Sequence, residues 1–174
     1  LAPSNHGGTI ATLAITGDDA LDPFIDGFAV KSERIPAPLQ YRVPDGHTQT
    51  SYRMECAEAL EAAILKLGAE NVLAFAVEPV GGLSTGAQML SEDYANRVRE
   101  ICTKHGVYLV YDEILCGTGR TGRFLASHAW PDAHAEIVVL AKGLGSGYAP
   151  LSAALLPATM ADELADLTGF NFSH

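Results

Sequence analysis

Three short apolar runs, Val72 to Val77, Val107 to Tyr111 and Ile137 to Ala141, are each followed at once by an ionisable residue: Glu78, Asp112 and Lys142. The runs are rich in β-branched and aromatic residues, and their apolarity is continuous rather than alternating. That is the pattern of strands covered on both faces. In an open parallel sheet the ligand crevice lies outside the carboxyl ends of the strands, so this order brings two carboxylates and one amine to one edge.

The segments between the runs support such a sheet. From Tyr52 to Leu67, apolar residues recur every three or four positions at Met54, Ala57, Leu60, Ile64 and Leu67, and Gly68 follows as a stop. This spacing predicts a helix. Ser91 is placed to cap a second helix, with Glu92 and Asp93 in its first turn, Tyr94, Val98, Ile101 and Cys102 on one face, and Lys104, His105 and Gly106 at its end. Residues 31 to 51 contain Pro36, Pro38, Pro44 and Gly46 and read as loop. A fourth strand is expected within Leu151 to Leu156, and a short helix over Ala158 to Leu167. Strand, helix, strand order with right-handed crossovers places the chain in the α/β class, with a mostly parallel sheet and flanking helices.

Lysine and aspartate at neighbouring strand ends suit a specific chemistry. A lysine desolvated at a crevice edge loses basicity and becomes a nucleophilic amine able to form an imine with an aldehyde. A carboxylate facing a pyridine nitrogen keeps that nitrogen protonated, and the ring then acts as an electron sink.

Composition narrows the alternatives. The 174 residues are 48% hydrophobic, enough for one globular domain with a sizeable core. A formal charge of -10 disfavours nucleic acid and anionic membranes as partners. Cys56, Cys102 and Cys116 form neither a disulfide framework nor a zinc pattern, and the histidines lack metal-ligand spacing, so no metal is expected and a cytoplasmic setting is. No run approaches the roughly 20 apolar residues of a membrane helix, and no secretion signal opens the chain, which reads as soluble. The start at Leu1 and the stop at Asn171-Phe172-Ser173-His174 both read as cuts.

Val77-Glu78-Pro79-Val80, Val110-Tyr111-Asp112-Glu113-Ile114, the glycines from Gly117 to Gly122, and Ala141-Lys142-Gly143 together resemble the class III aminotransferases in order and spacing. The resemblance runs from His6-Gly7 to Phe172-Ser173-His174. It implies that residues 1–174 are part of the large domain of a fold type I transferase dependent on pyridoxal 5'-phosphate. It further implies that Lys142 forms the Schiff base and serves as general acid and base, that Asp112 pairs the pyridinium nitrogen, and that Ile114 packs against the cofactor ring. Glu78 matches the family's Glu-Pro-Val segment near the active site, and Asn5 and His6 border the cofactor. Small-molecule amino donors and oxo-acid acceptors, and a homodimer, follow from the same resemblance. Gly119-Arg120-Thr121-Gly122 matches a family turn, in which Arg120 is expected to serve scaffold or interface.

Departures from the family pattern matter as well. Asn5 stands where members carry an aromatic residue that stacks on the ring. The phosphate-cupping glycine-serine segment would lie before Asn5, the partner subunit's phosphate-binding threonine after His174, and the small domain outside these residues. A decarboxylase or aminomutase of the same outline, or a noncatalytic or cofactor-less scaffold, therefore stands beside the aminotransferase reading. Gly117, Gly119 and Gly122 also satisfy G-x-G-x-x-G, but Asp112 and Glu113 put negative charge where a pyrophosphate would come. Cys116 reads as a small buried residue rather than a nucleophile.

Overall fold

The computed structural model describes residues 1–21, 23 and 31–169. A short helix, α1 (Ile10–Ile15), opens on a capping box in which Thr9 and Thr12 satisfy each other's backbone N–H groups. Sequence periodicity does not reveal it, because six residues hold too few turns for an apolar repeat. The long helix α2 (Gln49–Leu67) begins three residues before the expected start. Thr48 sets the boundary: its Oγ1 accepts from Ser51 N at 3.1 Å while Ser51 Oγ accepts from Thr48 N at 2.9 Å.

Strand β1 (Ala74–Val77) follows, then α3 (Glu92–His105), β2 (Tyr108–Asp112), β3 (Ile137–Leu140), β4 (Ala153–Leu155) and α4 (Ala158–Thr168). Ser91 has the extended backbone of an N-cap, yet its side chain makes no capping hydrogen bond to the helix backbone. The helix closes as expected. Gly106 adopts φ 67°, and its N–H reaches the carbonyls of Cys102 and Thr103.

The sheet order is β1-β2-β3-β4, with β1, β2 and β3 parallel and β4 antiparallel to β3. One face of the strands is buried under α2 and α3: Phe75, Val77, Leu109, Tyr111, Val138 and Leu140 meet Leu60, Ile64, Val98 and Ile101. Burying each of these side chains contributes roughly 1.5–3 kcal/mol. The opposite face, with Ala76, Val110, Ile137 and Val139, is only half-buried. The expectation of strands fully covered on both faces is corrected to that extent. Helix α4 buries no residue against the rest of the described chain. No helix of the described residues is long and apolar enough to cross a membrane.

Candidate active site

Asp112 is the last residue of β2, Glu78 directly follows β1, and Lys142 follows β3 by two residues. The register pairs Val77 with Tyr111 and Asp112 with Val139, so all three lie at the carboxyl edge of the sheet, as the sequence implied. What the structure adds is which of them touch.

Asp112 is 6% exposed, and so is His6. Their side chains meet at 2.8 Å, His6 Nδ1 against Asp112 Oδ2. The histidine is itself fixed, because its backbone N donates to the fully buried Thr16 Oγ1 at 3.0 Å. The other carboxylate oxygen of Asp112 accepts from Ile114 N at 3.1 Å. Ile114 is thus placed by the turn that its own backbone helps to close. His6 Nε2 is buried and has no partner among the described residues, so the ring retains hydrogen-bonding capacity.

Glu78 is coupled to the same cluster. Its Oε2 accepts from Asn5 N at 3.3 Å. Burial pushes its carboxyl above the ordinary range, and the Asp112 charge pushes the same way, while the Asn5 N–H and His6 partly offset them. Asn5 is exposed, and its side-chain oxygen turns back to accept from Gly7 N at 3.0 Å. It caps its own turn.

Lys142 stands apart from this cluster. It is exposed and begins a 3-10 turn, Lys142–Gly145, with a backbone φ of 40° that side chains rarely adopt. The expected desolvation of Lys142 is therefore corrected, since the chain leaves the sheet at once and carries the side chain into an open cleft. That cleft, of about 810 Å³, is lined by Thr118, Gly119, Arg120, Lys142, Gly143 and Ser146 among others. A Cβ on Gly143 would collide with Thr118 Oγ1, so the Lys142 turn and the loop after β2 are in direct contact.

Glu113 was passed over by the sequence reasoning. It is 0% exposed, and its Oε1 and Oε2 accept from Ser127 N at 2.9 Å, Ser127 Oγ at 2.6 Å and Ala126 N at 2.6 Å. It pins the 3-10 turn Ala126–Ala129 beneath the loop. At Gly117 a Cβ would lie 2.6 Å from Leu140 Cδ2, which explains the first glycine of the triplet by close packing. The loop continues through turns rather than into a crossover helix, against a dinucleotide fingerprint. Cys116 is 1% exposed and burial pushes its thiol up to about 12, the behaviour of a small apolar residue. Among the described residues no group of three or more His, Cys, Asp or Glu is placed to hold a metal.

The structure thus joins Asn5, His6, Glu78, Asp112 and Ile114, and places Lys142 on the neighbouring cleft. The His6 to Asp112 pairing crosses 106 residues of chain, and no local spacing announces it. Among the sequence's terminal residues, Phe172, Ser173 and His174 lie outside the described residues.

An α/β chain with its polar residues gathered at the carboxyl ends of parallel strands defines a class of ligand-binding enzyme folds. Residues 2–169 match the family described as aminotransferase class-III, and the chain belongs to that family. It is 40% identical over 154 residues to the hypotaurine/taurine–pyruvate aminotransferase of Paracoccus denitrificans, covering 84% of this chain and 31% of that protein. It is 35% identical over 165 residues to a leucine/methionine racemase of Thermococcus litoralis, covering 94% of this chain and 37% of that one. Among solved structures, an amine transaminase from an uncultivated Pseudomonas species, in its PLP-bound internal aldimine form, aligns with a TM-score of 0.87 at 32% identity, over 99% of this chain and 39% of that one. The chain spans about a third of the length of the curated relatives it matches.

Proposed function

We propose that the protein to which this chain belongs is a pyridoxal-phosphate-dependent aminotransferase, moving an amino group from an amino acid or ω-amine to an oxo acid. The observation that carries the reading is the Asp112 carboxylate at one strand end, oriented by His6 and Ile114 N, beside an unpaired Lys142 amine at the next. These residues fit the cofactor. Both Asp112 oxygens keep acceptor capacity beyond their present partners, and the Lys142 amine makes no ion pair or hydrogen bond among the described residues.

When bound, the cofactor supplies an aldehyde for covalent attachment and a ring that accepts electron density. Lys142 Nζ would hold the aldehyde carbon and, once released, would carry a proton to and from the adjacent substrate carbon. Asp112 would hold the proton on the ring nitrogen. His6 would keep Asp112 in that orientation, because its own backbone is tied to Thr16. Ile114 would present its side chain to the ring. Glu78 would set the local field through its bond from Asn5 N, and Asn5 would border the ring without stacking on it.

A homodimer and a reducing, cytoplasmic setting complete the reading. The three unpaired, buried cysteines support the setting. Exposed Tyr148, Leu151, Leu164 and Leu167 around β4 and α4 support burial against further protein.

The test is borohydride reduction of the full-length protein with pyridoxal phosphate, followed by peptide mass spectrometry. A single pyridoxyl adduct on Lys142, with loss of yellow absorbance on reduction, is the expected result. Adducts scattered over surface lysines, or none, would reject the reading. The racemase relative makes racemisation the second reading, and an amino donor inverted without amino transfer would select it.

A further inference from the structure

Thr118 and Lys142 both have left-handed backbones, with φ 57° and 40°, on the two sides of one contact. Threonine is β-branched, and a positive φ is unfavourable for it. Such a conformation persists only where the surroundings impose it.

At Thr118 they do. Thr118 N donates to Phe124 O at 2.7 Å, Gly119 N to Arg123 O at 3.1 Å, and Thr118 Oγ1 to Gly117 O at 2.8 Å. Gly117 is buried, its N donates to Glu113 O at 2.8 Å, and a Cβ there would lie 2.6 Å from Leu140 Cδ2. Thr118 therefore stands on a base joined to the buried Glu113 and to β3.

The Lys142 side has fewer constraints of its own. Its turn closes through Leu144 N to Ala141 O at 2.9 Å and Ser146 N to Gly143 O at 3.1 Å. The Lys142 amine makes no hydrogen bond or ion pair among the described residues, so its aim follows from the direction of the Cα–Cβ bond, which the backbone sets. Against this turn lies the Thr118 hydroxyl, in the space that a Cβ on Gly143 would occupy. Gly143 does not have a positive φ, so its missing side chain answers to Thr118 and not to the backbone.

The geometry points to Thr118 as the positioning residue for Lys142: its hydroxyl, wedged beside Gly143, holds the turn in the conformation that sends the lysine amine into the cleft. The inference rests on the reading of Lys142 given above and adds the residue that aims the amine.

The experiment uses the full-length protein freed of cofactor. Wild type is compared with Thr118→Gly, Thr118→Ser, Gly143→Ala and the double variant carrying both Thr118→Gly and Gly143→Ala. Two quantities are read: the rate constant for adduct formation between Lys142 and pyridoxal phosphate, and the pH at which the adduct's absorbance changes. Urea unfolding checks that each protein is folded, and Thr118→Gly should be, because glycine accepts φ 57° without strain. Thr118→Gly and Gly143→Ala should each slow adduct formation roughly 10- to 100-fold and displace that pH, because small misplacements of a reacting group cost this much. Thr118→Ser keeps the hydroxyl and should react as wild type. In the double variant the added methyl group has room, and part of the rate should return. If Gly143→Ala does not fold, the comparison of Thr118→Gly with Thr118→Ser decides. Wild-type rates in the single variants, or losses that simply add in the double variant, would overturn the proposal and leave the aminotransferase reading standing. A wild type that forms no adduct would remove both.

Discussion

Asp112 and Glu113 are adjacent carboxylates, both buried, at the end of the same strand, and the two regions they serve treat them in opposite ways. Glu113 receives three close donors from the 3-10 turn Ala126–Ala129. Asp112 receives one backbone N–H and one histidine, and that histidine keeps a buried nitrogen without a partner among the described residues. The loop anchor saturates its charge; the strand-end cluster leaves capacity in reserve. Reserve of this kind costs stability and is retained where a ligand can use it. The contrast has an exception within the core, since the Tyr94 hydroxyl on α3, in a residue of 0% exposure, is also buried without a hydrogen-bond partner among the described residues.

The contrast breaks most severely at Glu113. Glu113→Ala leaves the N–H groups of Ala126 and Ser127 buried without acceptors and opens a void, and should cost about 3–5 kcal/mol of unfolding free energy. Glu113→Gln keeps one acceptor oxygen and should lose less. Urea unfolding monitored through Trp130, 3% exposed and packed edge-on to Tyr111, would read both. If Glu113→Ala unfolds at the wild-type midpoint, the anchor is not what holds the loop.

A smaller effect sharpens the site's half of the comparison. Lys142 has φ 40°, where a Cβ is unfavourable. Lys142→Gly should therefore be more stable than Lys142→Ala by about 1 kcal/mol, in differential scanning or urea unfolding, although neither can form the cofactor adduct. Equal stabilities would show that the turn carries no strain for the lysine to bear.

The strand ends were legible because continuous apolar runs and their terminal charges are local features, read directly at Glu78, Asp112 and Lys142. The helices were legible because α3 repeats its apolar positions and stops at Gly106. Three things were not. His6 approaches Asp112 only through the fold of the N-terminal segment against β2, a contact between residues 106 positions apart. Glu113 received no role from its sequence position beside Asp112, because only tertiary packing buries it completely. Exposure of Lys142 depends on a turn whose backbone conformation its sequence does not announce, because lysine rarely adopts it.

The smallest effect lies at the seam between α2 and α3, where charges are satisfied and solvent still reaches Lys104. Glu61 on α2 accepts from Lys104 Nζ and meets His105 Nε2, both at 2.7 Å on α3. Hydrogen bonding to Lys104, then to His105, pulls its carboxyl from the ordinary 4.5 down to about 2. A carboxylate depressed in the folded state stabilises the fold above its unfolded pKa, and that contribution fades as pH falls from about 4.5 through about 2. Glu61→Gln should thus reduce stability slightly at neutral pH and flatten the acid limb of a stability-versus-pH curve over that window. Salt should diminish the difference, because solvent screens such pairs. An acid limb of unchanged slope would show that the α2 to α3 ion pairs decorate the scaffold without tightening it, and would leave Glu113 as the carboxylate on which its stability turns.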